Sequence, residues 1–194
     1  MTRTSLSRFL QKKDGSSTIE FVVVFVAFIA TIFFVLEVTL YLFFMSSLEK
    51  AAEAGVRAAV VSSPLVADFP LTIEKTPSGV FGFKCSDATA PCAAFATLSC
   101  TGDSGANGCL AAPFDRILNH IRGFNAQITA ANVTVSYEDV GLGYAGGPPV
   151  PMVTVTIHDV PYQTGIVGLL LTNANVLATL PARSASMTGE DLAS

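Results

Sequence analysis

Two carboxylates lie where the sequence is otherwise almost entirely apolar. Glu20 directly precedes the run FVVVFVAFIATIFFVL, and Glu37 directly follows it. An unpaired ion between apolar helices costs several kcal/mol, so each carboxylate is expected either to pair with a cation or to stay partly hydrated. For Glu20 the hydrated alternative is the lipid headgroup level. For Glu37 the hydrated alternative is the interface at the outer end of the helix, where it leaves the membrane. The other interpretation is that Glu37 faces a partner helix.

Four cysteines fall close together near the middle of the chain. Cys85, Cys92, Cys100 and Cys109 are separated by six, seven and eight residues. This spacing lacks the close pairs of a structural zinc site, and no histidine lies among them, so the pattern favours two disulfides. Three connectivities are possible. The sequential one, Cys85 with Cys92 and Cys100 with Cys109, is favoured because short closed loops form most easily.

The remaining reactive residue types do not form a recognisable catalytic or ligand site. The stretch GDSG at residues 102–105 resembles a serine-protease nucleophile, but His120 and His158 both follow it. The segment is also about half as long as the double barrel of such an enzyme. Both histidines are expected to be surface or capping residues. We therefore predict no catalytic residue, no metal site and no cofactor.

The composition predicts a membrane-spanning helix. Hydrophobic residues make up 51% of the 194-residue chain and charged residues only 13%, which is unusual for a soluble domain. Within residues 21–45 the only charge is Glu37. A helix of this length spans roughly 37 Å, against a hydrocarbon core of about 30 Å. No later segment is as long and as apolar, so a single transmembrane helix is predicted.

Flanking charges predict the orientation of this helix. The residues before it contain Arg3, Arg8, Lys12 and Lys13 against one acidic residue, Asp14, which places the amino terminus in the cytoplasm. Residues 64–194 carry ten acidic and five basic side chains. A phosphate backbone would be repelled by that surface, so nucleic acid is excluded as a partner.

The helix is expected to continue beyond the membrane. In SSLEKAAEAGVRAAVVSS, small and apolar residues follow helical spacing on one face and charged residues occupy the other. The helix should stop before Pro64 and form a stalk with a closely packing stripe. The predicted organisation is a leader at residues 1–15, a transmembrane and stalk helix at 16–63, and an extracytoplasmic head at 64–194.

The head is predicted to be a small α+β domain. Alternating apolar residues at 133–137 and 153–157 indicate two antiparallel strands, joined by a Gly/Pro-rich loop. A third strand is expected within residues 176–188 and a weaker one at 80–84. Pro113 opens a helix whose apolar stripe would cover one face of the sheet; the stripe comprises Phe114, Ile117, Leu118, Ile121 and Phe124.

The start of the chain resembles the processing site of type IV prepilins. The resemblance rests on a short basic leader, Gly15, Ser16 directly after it, Glu20 as the fifth residue after Gly15, and the apolar helix. It implies cleavage after Gly15 by a prepilin peptidase, and a glycine there allows the extended backbone that a protease requires. The new amine of Ser16 would lie about 6 Å, or one helical turn, from Glu20. A neighbouring subunit displaced along the axis could then pair its amine with this carboxylate.

The chain is also similar to the TadE-like family of tight-adherence (Flp) pilus assembly proteins. Besides the glycine and glutamate of the processing site, this similarity rests on Glu37, on the continuation LEKAAEAGVRAA, and on a head that ends in GIVGLLL and then ATLPARSASMTGED. It implies a pseudopilin: a minor pilus component in the bacterial inner membrane with a periplasmic head, which can reach the pilus or cell surface after assembly. The implied partners are prepilin peptidase, other pilin subunits and the inner-membrane assembly platform. The implied role is support of pilus biogenesis and adhesion.

Two other interpretations remain at this point. One is an uncleaved single-pass anchor whose head is an extracytoplasmic binding module. The other is a secreted hydrolase released by cleavage behind Ala54, because Ala52-Glu53-Ala54 before Gly55 has the small-x-small pattern of signal peptidase sites. The mature mass would distinguish all three.

Overall fold

The computed structural model describes residues 16–87, 89, 91–102, 108–163, 177–189 and 192. The described residues form two compact units. The first contains residues 16–42 together with Gln163, and the second contains residues 43–162 and 177–192. We refer to the second as the head unit. It includes the last part of the long helix in addition to the residues that follow Pro64.

The described part of the chain combines helices with antiparallel strands, which confirms the α+β prediction. The helices are α1 (Ser16–Val60) and α2 (Ala111–Arg122), with a short 3-10 helix at Ala130–Asn132. The strands are β1 (Leu98–Thr101), β2 (Val133–Glu138), β3 (Met152–Ile157), β4 (Pro161–Gln163), β5 (Leu177–Thr179) and β6 (Arg183–Thr188). As predicted, the long helix ends before Pro64.

The main sheet has four antiparallel strands in the order β1-β2-β3-β6. The two alternating sequence runs are neighbours, with Val135 opposite Val155. The strand predicted near the carboxyl terminus is β6, which pairs with β3. Strands β4 and β5 form a separate two-stranded sheet.

Two details of the sequence prediction differ from the structure. The strand expected at residues 80–84 is wrong, because this segment forms turns. It pairs with the backbone near Tyr144 through an isolated bridge at Lys84 and hydrogen bonds to Ala145, without forming a regular strand. The fourth strand of the sheet is β1, whose four residues are too few for alternation to be recognised. The apolar helix suggested by GIVGLLL, residues 165–171, lies outside the described residues.

One face of the sheet is apolar and carries both helices. Val135, Tyr137 and Val155 are fully buried there. From α2 the stripe Phe114, Ile117, Leu118 and Ile121 is buried as predicted, whereas Phe124 lies beyond the helix and is 52% exposed. From α1 the buried residues are Met45, Leu48, Ala51, Ala52, Gly55, Val56 and Ala59. The small-residue stripe of α1 therefore forms part of the core of the head unit.

Gly55 is the position of closest approach on α1. A Cβ atom at this residue would lie 2.9 Å from Cδ1 of Ile121 and 3.2 Å from Cγ1 of Val155. Real Cβ atoms are very seldom this close to their neighbours, so a larger residue here would force the Ile121 side chain to shift.

Candidate functional site: the apolar part of helix α1

The first part of α1 presents apolar side chains around its circumference. Its large side chains are mostly half or more exposed; examples are Phe21 (68%), Val24 (67%), Phe28 (60%), Phe34 (62%) and Leu42 (60%). Among the described residues, α1 is the one helix long and apolar enough to cross a membrane. A helix that is apolar on all sides requires a nonpolar environment. The protein is therefore membrane-anchored by its amino-terminal helix.

The hydroxyl groups within this apolar stretch are satisfied inside the helix. The Thr31 hydroxyl donates to the backbone carbonyl of Ala27 at 2.9 Å. The Thr39 hydroxyl donates to the carbonyl of Val35 at 2.8 Å. These bonds remove most of the cost of placing a hydroxyl in hydrocarbon, so the two threonines do not interrupt a membrane span.

Glu20 lies one turn into α1 and is exposed. Its carboxylate is therefore accessible to a group from another molecule. Ser16 is the first residue of α1, but its side chain is not described and Gly15 lies outside the described residues. The cleavage site and the pairing of Glu20 with a terminal amine remain predictions.

Glu37 is half-buried on α1. It follows Glu20 by 17 residues, which places it about 25 Å farther along the helix axis and about 100° around it. Because the hydrocarbon core is about 30 Å thick, an untilted helix would hold the two carboxylates near opposite boundaries of the membrane. The two groups face different directions and would meet different neighbours.

The disulfides lie in the head unit and follow the sequential connectivity. Cys85 is bonded to Cys92 and Cys100 to Cys109. Cys100 is buried in β1, so its bond fixes an edge strand to the start of the segment that leads into α2. The pairing favoured by loop length is confirmed.

The histidines have different environments. His120 is exposed on α2. His158 follows β3, where Nε2 lies 3.0 Å from Oγ1 of Thr134 and Nδ1 lies 2.9 Å from Oδ2 of Asp159. The sequence revealed only that His158 and Asp159 are adjacent, and the contact with Thr134 depends on strand pairing. Within the described ranges, no three His, Cys, Asp or Glu side chains come together as a metal site.

These features define a class of protein. An apolar helix that is long enough to cross a membrane and bears Glu20 and Glu37 continues into an α+β head unit with two disulfides. The family model for TadE-like proteins matches residues 15–57. This match confirms the predicted resemblance over the helix and indicates a pilin-like protein associated with a Tad pilus. Neither the curated proteins nor the solved structures contain a significant match to the chain.

Proposed function

We propose that this chain is a minor pilin, or pseudopilin, of a tight-adherence (Flp) pilus system. The observation that carries the proposal is the coincidence of the TadE-like match with an exposed apolar helix bearing Glu20 and Glu37. The match begins at Gly15, so it includes the glycine and the glutamate that define a prepilin-type site. The proposed role is support of pilus biogenesis and adhesion.

In this proposal the precursor is inserted in the bacterial inner membrane with its amino terminus in the cytoplasm. Four basic residues against one acidic residue before the helix support this orientation. Prepilin peptidase cleaves after Gly15 at the cytoplasmic face and removes the basic leader. The head then lies in the periplasm, where the two disulfides are chemically stable.

Assembly depends on the charge of Glu20. After cleavage, the Ser16 amine of one subunit pairs with the Glu20 carboxylate of a neighbour displaced along the helix axis. A carboxylate left unpaired between apolar helices costs several kcal/mol, so every other axial register is penalised. Glu37 makes a second polar contact at the opposite end of the span, in a different direction around the helix.

The head contributes binding and not catalysis. It is held on the pilus machine, or displayed on the pilus or cell surface, by helix contacts with other pilin subunits and the inner-membrane platform. An uncleaved anchor carrying the same head is the alternative, and it has the same head unit because cleavage after Gly15 does not affect residues 43–60. Secretion by cleavage behind Ala54 is disfavoured, because Ala52 is buried and cleavage would remove Met45, Leu48 and Ala51 from the core.

The test is the amino-terminal sequence and intact mass of protein recovered separately from sheared fibres and from membranes. A minor pilin starts at Ser16 in both fractions and is present in fibres at low abundance. An intact leader in all the protein would replace this proposal with the uncleaved anchor. A start at Gly55 would replace it with secretion.

A further inference from the structure

We propose that residues 164–176, which lie outside the described residues between β4 and β5, pack along the apolar part of α1 as a second membrane-embedded segment. The surface they cover consists of Ile29, Phe33 and Glu37, which we call the half-buried stripe. Its members follow one another at intervals of four residues, so they lie on one side of the helix. This packing does not depend on cleavage of the leader, so it goes beyond the proposed function.

The half-buried stripe differs in exposure from the rest of the apolar helix. Every other side chain between residues 18 and 43 is exposed, and Phe34, directly after Phe33, is 62% exposed. Neighbours three and four residues apart shield all sides of a helix in the same way, so this stripe has an additional cover. The structure contains one copy of the chain. The cover therefore belongs to the same chain.

Strand β4 brings the chain to α1. The ring of Tyr162 in β4 contacts the ring of Phe44 on α1, with centroids 5.3 Å apart. The next residue, Gln163, belongs to the compact unit that contains residues 16–42 and not to the head unit. Among the described residues, Gln163 is the one member of that unit outside α1. The continuation of the chain after β4 is therefore the nearest candidate for the cover.

The pairing of β4 with β5 determines the path of this continuation. The backbone N–H of Leu180, directly after β5, donates to the carbonyl of Val160, directly before β4, at 3.0 Å. The two strands are therefore antiparallel. Residues 164–176 leave and return at the same end of this small sheet, so they form one excursion of 13 residues.

The reach of this excursion matches the position of the half-buried stripe. Thirteen residues that go out and return extend at most about 22 Å. Along α1, Glu37 lies about 11 Å and Phe33 about 17 Å from the level of Phe44, where β4 meets the helix. Ile29, at about 23 Å, is at the limit of this reach. The side chains before Ile29 are exposed, as a cover of limited length requires.

The composition of residues 164–176 suits an apolar surface that contains one carboxylate. The segment has no charged residue, and residues 165–171 read GIVGLLL. Its two glycines allow close approach to another helix, and its large side chains are aliphatic. Polar side chains follow at Thr172, Asn173 and Asn175. Such groups can donate to the Glu37 carboxylate, which lowers the cost of a carboxylate near hydrocarbon.

Two other covers fit less well. The leader, residues 1–15, is basic and ends before Ser16, which lies about 20 Å from Ile29 along the helix axis. A helix of a neighbouring subunit would run along the whole apolar stretch, whereas the half-buried stripe begins only at Ile29. Residues 164–176 are the segment whose two ends and length both agree with the stripe.

The experiment uses the full chain in membranes with a benzophenone-bearing phenylalanine in place of Phe33. The same label in place of Phe34, which is exposed at nearly the same depth, is the matched control. Chains of two isotopic compositions are reconstituted together, so that links within a chain and between chains differ in mass. After irradiation, mass spectrometry of the peptides identifies the residues joined to each label. Intact disulfides and an unchanged Tm establish that each labelled protein is folded.

We expect position 33 to link to residues 164–176 of the same chain, at least tenfold more than position 34. Photoreactive leucine, incorporated in place of leucine in the otherwise unaltered chain, should join residues 169–171 to residues 29–37 of the same chain. This second readout does not place a bulky label in the stripe. Links from position 33 to another chain or to the leader, equal linking from positions 33 and 34, or no link in either experiment would overturn the inference. Because none of these outcomes involves cleavage after Gly15, failure here leaves the proposed function standing.

Discussion

The phenolic oxygen of Tyr137 accepts a hydrogen bond from the backbone N–H of Leu65 at 3.2 Å, although 72 residues separate the two. Both residues are fully buried. The carbonyl of Leu65 accepts from the N–H of Leu110 at 2.8 Å, just before α2. Leu65 therefore attaches the connection that follows α1 to the sheet through its backbone N–H and to the start of α2 through its backbone carbonyl.

Replacing Tyr137 by Phe should destabilise the head unit by about 1–3 kcal/mol, because the buried N–H of Leu65 loses its partner. Urea unfolding in detergent, followed by tyrosine circular dichroism, measures the change. Tyr144→Phe is the matched control. Tyr144 is 50% exposed, so removing its hydroxyl should change the free energy of unfolding by no more than about 0.5 kcal/mol. Equal stability of the two variants would show that the Leu65 contact contributes nothing.

Alkaline pH should destabilise the protein through the same side chain. Burial raises the pKa of Tyr137 to about 12, and the hydrogen bond from Leu65 opposes part of that rise. The unfolded phenol ionises near pH ~10. The unfolded state therefore binds fewer protons above that pH, and stability falls as pH rises through the folded value. The loss is about 3 kcal/mol at most, since one pKa unit corresponds to about 1.4 kcal/mol.

Unfolding of the unaltered protein and of Tyr137→Phe across this pH window isolates the effect. Lysine deprotonation and other alkaline changes are common to both proteins. The difference in unfolding free energy between them should shrink as the pH passes from 10 to 12. A difference that is independent of pH would contradict the assigned cause.

Gly55→Val should destabilise the head unit by about 1–3 kcal/mol, because its Cβ would overlap the Ile121 side chain. Helix propensity does not explain such a loss, because valine is a better helix former than glycine. Arg57→Val, on the exposed face of the same helix, controls for the introduction of a β-branched residue. The same urea unfolding measures both. Combining Gly55→Val with Ile121→Ala should cost less than the sum of the single changes, since the shortened side chain makes room. Strict additivity would argue against the close approach.

Removing the charge of Glu20 should separate processing from assembly. In Glu20→Gln we expect the leader to be cleaved normally but incorporation into fibres to fall at least tenfold, because the neighbour's amine has no anion to pair with. Immunoblots of sheared fibres and membranes measure both steps. Glu53→Gln, an exposed carboxylate in the head unit, should assemble normally. Full incorporation of Glu20→Gln would refute the pairing argument.

Blocking the cleavage site should retain the precursor. Gly15→Phe places a bulky side chain where the peptidase is expected to accept only glycine, so the uncut form should accumulate in membranes without fibres. Ser5→Phe, within the same leader, is the matched control and should be processed normally. Normal fibres from Gly15→Phe would contradict the proposed processing.

Properties set by neighbouring residues were determined by the sequence itself. Continuous hydropathy predicted the membrane helix, alternation predicted β2 and β3, and short loops favoured the observed disulfides. The sequence also predicted the small-residue stripe of α1 that contains Gly55, because helical spacing alone places these residues on one face. Each of these depends on interactions within one element or across a short loop.

Only the tertiary structure decided which surfaces meet. Four features depend on pairing between distant segments. They are the packing of Gly55 on Ile121 and Val155, the strand β1, the hydrogen bond between Tyr137 and Leu65, and the alignment of serine and threonine side chains across the sheet. A shift of one residue in strand register would turn the outer face of the sheet, which carries serine and threonine side chains, into the core. The alternation of each strand excludes such a shift, but it does not distinguish shifts of two residues or choose the neighbouring strand. Those are set by the helices and side chains that fill the apolar face together.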